Sequence, residues 1–173
     1  MKKAIFIISS LILFAFTQNA NAQNKGKDIV DIAVSVDDFS TLVTALKAAD
    51  LVPALQGDGP FTVFAPVNSG FAKIDANALN SLLQPENKEK LSSILTYHVV
   101  SGKIGASDVV KALESGNGMA SLTTLNGASV TAVKKNGGIY LKDGNGNYSK
   151  ITKTDVMASN GVIHIIEDVV MPK

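Results

Sequence analysis

Two absences narrow this chain before any motif is considered. None of its 173 residues is cysteine, and none is arginine. Without cysteine there is no disulfide, no thiol nucleophile and no thiolate metal ligand, so stability has to come from a packed core. Without arginine the chain lacks the planar, bidentate reader of phosphates and carboxylates, since all 16 basic residues are lysine. Excess charge is scarce too: 15 acids leave a formal net charge of +1. That near-neutral balance excludes nucleic acid as an expected partner, because phosphate binding needs a basic surface. Catalytic signatures are missing as well. No His-Glu-x-x-His, Gly-x-Ser-x-Gly, phosphate-binding loop or dinucleotide fingerprint occurs, and apart from Asp37-Asp38 and Glu167-Asp168 the acids fall singly, so no paired-carboxylate site follows from spacing. The expectation is a protein that is not an enzyme, with no metal and no cofactor.

What is present begins with an address. Lys2-Lys3 is a short positive region, Ala4 to Phe16 is apolar apart from Ser9 and Ser10, and Ala20-Asn21-Ala22 places small residues before Gln23. This predicts a secretory signal peptide over residues 1–22, cleaved after Ala22. The apolar stretch falls short of the ~20 residues that span hydrocarbon, so no transmembrane anchor is expected. No cysteine follows it to carry a lipid. Loss of Lys2 and Lys3 leaves 14 lysines against 15 acids, a charge of about −1. The product is expected to be secreted, whether extracellular, on the cell surface or in the periplasm. A short polar lead-in (23–27) then precedes a single domain over 28–173, with no internal repeat.

Helical patterns fill the first part of that domain. Asp28 precedes a short apolar helix, and Asp37-Asp38 precede Phe39, Leu42, Val43 and Leu46 at helical spacing, with an end near Asp50. Leu51 to Leu55 forms another turn, and 61–65 reads as a strand closed by Pro66. Asp75 caps a helix carrying Leu79, Leu82 and Leu83, and Pro85 opens one carrying Leu91, Ile94 and Leu95. Residues 97–100 read as extended, and Ser107-Asp108 caps a helix to about Glu114. Strands follow at 119–125, 128–135, 138–142 and 150–158. Helices first and strands later predict α+β, with antiparallel hairpin pairing. Asp143-Gly144-Asn145-Gly146-Asn147 begins like a calcium loop, but Tyr148 stands where glycine should be and Thr154 where glutamate should be, so a mobile hairpin loop is expected. Asn147-Tyr148-Ser149 fits a glycosylation acceptor on three residues alone.

The last hairpin is the most specific stretch. Val156 and Ala158 alternate with Asp155, Met157 and Ser159, Asn160-Gly161 signals a tight turn needing positive backbone angles, and Val162 to Ile166 is β-branched except for His164. His98 and His164 both sit among apolar neighbours, where a buried imidazole must find hydrogen-bond partners. Pro66 fixes a strand exit, and Asn68 with Ser69 can cap the turn that carries Phe71.

Three blocks carry a resemblance. Phe61-Thr62-Val63-Phe64-Ala65-Pro66-Val67-Asn68 followed by Phe71 resembles the first signature of the fasciclin domain. Leu95-Thr96-Tyr97-His98-Val99-Val100 resembles its central Tyr-His motif, and Asp155 to His164 resembles its second signature. They stand in family order and together extend over 28–172. The resemblance is to a secreted bacterial protein of one fasciclin domain. It implies a compact β-wedge of about seven strands with helices packed around it. It also implies adhesion to a surface or matrix protein or a glycan. In animal members the Asp-Val region and the Tyr-His region are tied to receptor binding, which carries Asp155, Val156, Met157, Tyr97 and His98 over as candidate contacts. Phe61, Thr62, Val63, Phe64, Ala65, Pro66, Asn68, Phe71, Asn160, Gly161 and His164 carry over as structural positions. The alternative implied by other members is a carrier of a carotenoid or lipid, with Leu42, Leu46, Leu79, Leu82, Leu83, Leu91 and Leu95 bordering a groove. A single weak site also suggests weak self-association as a route to avidity.

Overall fold

The computed structural model describes residues 26–173. The expected signal peptide and most of the polar lead-in lie outside the described residues.

A helical layer comes first. It comprises α1 (Ile29–Val34), a 3₁₀ turn (Asp37–Phe39), α2 (Ser40–Ala48) and α3 (Val52–Leu55). After β1 (Phe61–Pro66) come α4 (Asn68–Phe71), α5 (Ala76–Leu82), a second 3₁₀ turn (Pro85–Asn87) and α6 (Lys88–Tyr97). β2 (Val99–Ser101) and α7 (Ala106–Ser115) lead into β3 (Met119–Thr123), β4 (Ser129–Lys135), β5 (Gly138–Lys142), β6 (Tyr148–Ala158) and β7 (Gly161–Ile166). The seven strands form one sheet in the order β2-β1-β7-β6-β5-β4-β3. A bridge from Val100 to Thr124 and a hydrogen bond from Leu125 N–H to Val99 O (2.8 Å) nearly close it on itself. This is the α+β wedge expected from the sequence.

One pairing departs from the hairpin expectation. β1 and β7 run parallel, Phe61 opposite Gly161 through Pro66 opposite Ile166. A parallel pair needs a long connection, and almost the whole domain supplies it. These two central strands divide the core. Val63, Ala65 and Ile163 join Phe39, Leu42, Leu46, Leu91 and Leu95 beneath the helices. Phe64 and Ile166 turn the other way, to Tyr97, Leu113, Val130 and Leu141 inside the wedge. The two-residue period of a strand makes both clusters from one segment.

Local chemistry explains most boundaries. Asp28 caps α1 and exchanges hydrogen bonds with Asp31, and Asp75 accepts from the amides of Asn77 and Ala78 at the start of α5. Asp37 and Asp38 instead occupy a 3₁₀ turn with no side-chain cap. Asn68 does not cap α4 either. Its amide crosses to the earlier helices, accepting from Thr41 N–H (3.0 Å) and donating to Asp37 O (2.9 Å) and Ser40 Oγ (3.0 Å).

Candidate functional site

The Tyr-His motif closes α6 and does not start a strand. Tyr97 is the last helical residue and His98 follows in right-handed helical geometry, so β2 begins only at Val99. The helix that carries Leu91, Ile94 and Leu95 therefore runs through Tyr97 to a cap at His98, two residues into the stretch that reads as extended. Tyr97 is fully buried, and its hydroxyl donates to Ser129 O (2.9 Å). Burial, with the Asp143 carboxylate nearby, pushes its phenol up from the ordinary value. His98 is 2% exposed. Its Nδ1 pairs with Ile94 O (2.8 Å) and its Nε2 with Val170 N–H (3.1 Å), so Nδ1 carries the proton and Nε2 accepts. Desolvation lowers its pKa to about 4, against the Ile94 carbonyl that favours the charged form. The imidazole is a neutral rivet between the end of α6 and the C-terminal segment.

The second histidine rivets a different pair of segments. His164 is 1% exposed and stacks on Phe64, centroids 5.5 Å apart. Its Nε2–H donates to Ile104 O (2.8 Å), and its Nδ1 accepts from Asp155 N–H (3.3 Å). Thr62 serves the same loop, donating to Gly102 O (2.7 Å) and accepting from Ile104 N–H (2.9 Å). Both main-chain groups of Ile104 are therefore satisfied by signature side chains, one from β1 and one from β7.

Asp155 completes this arrangement. The β6–β7 register shifts between Lys153 and Val156, and Asp155 sits in that bulge with φ of 57°. Aspartate tolerates this left-handed conformation better than most side chains. Its Oδ1 accepts from Ala106 N–H (2.9 Å), while Asp108 accepts from Gly105 N–H (3.0 Å). α7 thus starts at Gly105-Ala106, two residues before the expected Ser107 cap, with one carboxylate supplied from a distant strand. Asp155 remains solvent-exposed, Val156 is half-buried and Met157 is 55% exposed. Of the five carried-over contacts, Asp155 and Met157 are exposed, while Val156 between them packs against the helix-side core. Tyr97 and His98 lie inside the molecule.

The Asn160-Gly161 turn works differently from its sequence expectation. Neither residue has positive φ. Asn160 is a tether, with Nδ2 on Leu55 O (2.7 Å) and Gly57 O (3.0 Å), and Oδ1 on Ile29 N–H (3.1 Å). Gly161 is needed for close approach: a Cβ there would lie 2.1 Å from Phe61 O and 2.8 Å from Ile29 Cδ1. The Asp143 loop is likewise not free. The Asp143 carboxylate, 6% exposed, accepts from Asn145 N–H, Asn147 N–H, Asn147 Nδ2 and Met171 N–H at 2.8 to 3.3 Å. Its oxygens hold the loop and the C-terminal segment together, which is the work a cation would otherwise do.

Among the described residues, no group of three or more histidines or acids is arranged to hold a metal. The cavity in the helix-side core, lined by Ile29, Phe39, Leu42, Leu46, Val63 and Leu95, measures about 20 Å³. It has room for about one water at most.

Both histidines and Asp155 fall within a known domain. The model of the fasciclin domain matches residues 37–172. The protein sll1483 of Synechocystis is 47% identical over 87% of this chain and 77% of its own length. The immunogenic protein MPB70 of Mycobacterium bovis is 32% identical over 90% of this chain and 75% of its own. In three dimensions the fold is similar to that of a FAS1 domain pair from the insect cell adhesion molecule fasciclin I. That superposition has a TM-score of 0.73 at 21% identity and covers 84% of this chain and 51% of the pair. The chain belongs to the fasciclin-domain family.

Proposed function

We propose that this protein is an exported, non-catalytic adhesion module that attaches to a surface or matrix protein or a glycan. The observation that carries this reading is the commitment of both histidines. All four ring nitrogens engage main-chain groups in the interior, leaving no imidazole for proton transfer or metal binding in this conformation. Recognition is then left to the surface, where the bulge carboxylate of Asp155 stands close in sequence to the exposed Met157. The insect relative described as a cell adhesion molecule supports the same class. Export through a leader at 1–22 and weak self-association belong to this proposal. Among the described residues no helix is long and apolar enough to cross a membrane.

The test is retention. A surface coated with the exported protein is expected to hold source-organism cells or envelope fragments above an albumin-coated control, and a pull-down from envelope and medium should recover a partner. Equal retention on both surfaces, with nothing recovered, would remove the adhesion reading. The carrier alternative predicts a chromophore or lipid that co-purifies, visible by absorbance and mass spectrometry. The roughly 20 Å³ core cavity is far below the ~300 Å³ of a small-molecule site, so such a ligand would have to lie on the outside or open the helical layer.

A further inference from the structure

β3, β4, β5 and β6 carry five lysines, Lys134, Lys135, Lys142, Lys150 and Lys153, against a single acid, Asp155. That acid is directed to the start of α7. Register places three of the lysines on one face. Val133, Tyr140 and Lys150 are cross-strand partners in one row, Thr131, Lys142 and Tyr148 in the next, and Lys135 lies opposite Gly138. The alternate positions Val130, Ala132, Leu141 and Ser149 are buried on the other side. On the outward face Lys135, Lys142 and Lys150 are exposed, and Tyr148 is 42% exposed. Lys135 Nζ stands 4.3 Å from the centroid of the Tyr148 ring and Lys142 Nζ 6.0 Å. Neither ion pair among the described residues, Lys73–Asp168 or Lys88–Asp50, uses these lysines.

We propose that this face binds an acidic polysaccharide, a chain with carboxylate or sulfate groups on successive sugars. The proposal rests on the adhesive reading above and names the partner class for it. The argument is charge complementarity joined to aromatic chemistry. Each of the three lysines stands on a different strand and in a different row of the register, so the ammonium groups are spread diagonally over the face. They are separate point charges, suited to anions spaced along a polymer and lacking the fork that fits one phosphate bidentately. The tyrosine ring between them offers a face for the C–H groups of a sugar, with an ammonium already beside it to meet the sugar's anion. The helical half confines the contact to this face. Residues 26–97 hold nine acids and five lysines, so a polyanion is repelled there, whereas residues 98–173 hold six acids and eight lysines. A nucleic acid duplex would need a broader basic footprint than this.

The test uses the full chain secreted from an exporting host, passed over immobilised polyuronate, neutral dextran and a single-stranded oligonucleotide. Retention is expected on polyuronate and not on dextran, and salt should abolish it. The Lys135→Glu/Lys142→Glu/Lys150→Glu variant should bind at least about tenfold more weakly, with an unchanged melting temperature. Tyr148→Ala should cost about threefold without altering the salt dependence. Lys47→Glu/Lys88→Glu/Lys90→Glu, the same charge change on the helical side, should stay within about twofold of the parent. Equal loss in that control, or an oligonucleotide held as tightly as polyuronate through the same lysines, would overturn the proposal. So would a parent protein that passes polyuronate unretained. If that parent nevertheless holds cells on a coated surface, the adhesion reading survives and only the polysaccharide assignment falls.

Discussion

The helical half and the stranded half of this domain solve the same burial problem with opposite surfaces. In the helical half the acids have local work. Asp28 and Asp75 cap helices, and Asp31, Asp37, Asp38, Glu86 and Glu89 lie in first turns, where the helix dipole favours negative charge. In the stranded half there is one helix and few such positions, and lysine takes the outward sites of β4, β5 and β6. Charge segregation here follows secondary structure. Acids gather where helices begin, and lysines stand on a sheet face with no partner nearby. A whole-chain charge near zero conceals this, and with it the lysine face of the sheet.

The two halves share β1 and β7, so they are expected to unfold together. Phe39→Ala beneath the helices should cost about 3–5 kcal/mol, and Leu141→Ala inside the wedge about 2–5 kcal/mol. Circular dichroism at helical wavelengths and fluorescence of Tyr97, Tyr140 and Tyr148, all at or beyond the end of α6, report the halves separately. One coincident transition is expected in both variants; two separated midpoints would show independent units. Gly161→Ala attacks the seam, where the added methyl meets Phe61 O, and should destabilise by about 3 kcal/mol or more.

His98 makes the comparison sensitive to pH. Its folded pKa of about 4 lies below the ordinary 6.5, so the unfolded chain takes up the proton first. Its contribution is complete above pH 6.5, falls as the pH drops through the window from 6.5 to about 4, and changes no further below it. The loss across that window is about 3 kcal/mol. Carboxylates titrate there too, so the measurement is the difference in melting temperature between the parent and His98→Gln at pH 7 and pH 4.5. A difference that does not change with pH would show that His98 is not the buried neutral group described. His98→Ala should likewise lower stability more than it lowers retention on a coated surface. The smallest effect is expected at Asp155. Asp155→Ala removes the acceptor for Ala106 N–H and a side chain suited to positive φ, costing about 1 kcal/mol, and Asp155→Asn should recover part of it. If Asp155→Asn keeps its stability yet loses retention of cells, the carboxylate is a contact as well as a cap.

How much of the site could be foreseen depended on distance along the chain. The helical spacing of Phe39, Leu42 and Leu46, the caps at Asp28 and Asp75, and the strand at 61–66 all arise from neighbours in sequence. The end of α6 is not legible locally, because Tyr97, Val99 and Val100 are strand-forming residues, whereas Tyr97 closes the helix and packs into the wedge. Asn68 and Asn160 have turn-forming neighbours in sequence, yet their side chains reach to distant segments, and Asp143 holds both its own loop and Met171 N–H. Asp143 had the only local hint, an acid with donors following at alternate positions. Nothing near Asp155 signals that its partner is Ala106. The lysine face was within reach of a strand-by-strand charge count, and the whole-chain balance hid it.

Composition and local pattern settled the absence of disulfides, the order of helices and strands, and the three blocks that mark the fasciclin family. These depend on residues adjacent or one turn apart, where propensity and periodicity act directly. The partners of His98, His164, Asp155 and Asn160 were decided by the fold. Each is a buried or bulged polar group whose hydrogen bonds must be met by whichever main chain the closed sheet brings beside it. The same closure turned Lys135, Lys142 and Lys150 outward around Tyr148, because strand register sets which side chains share a face.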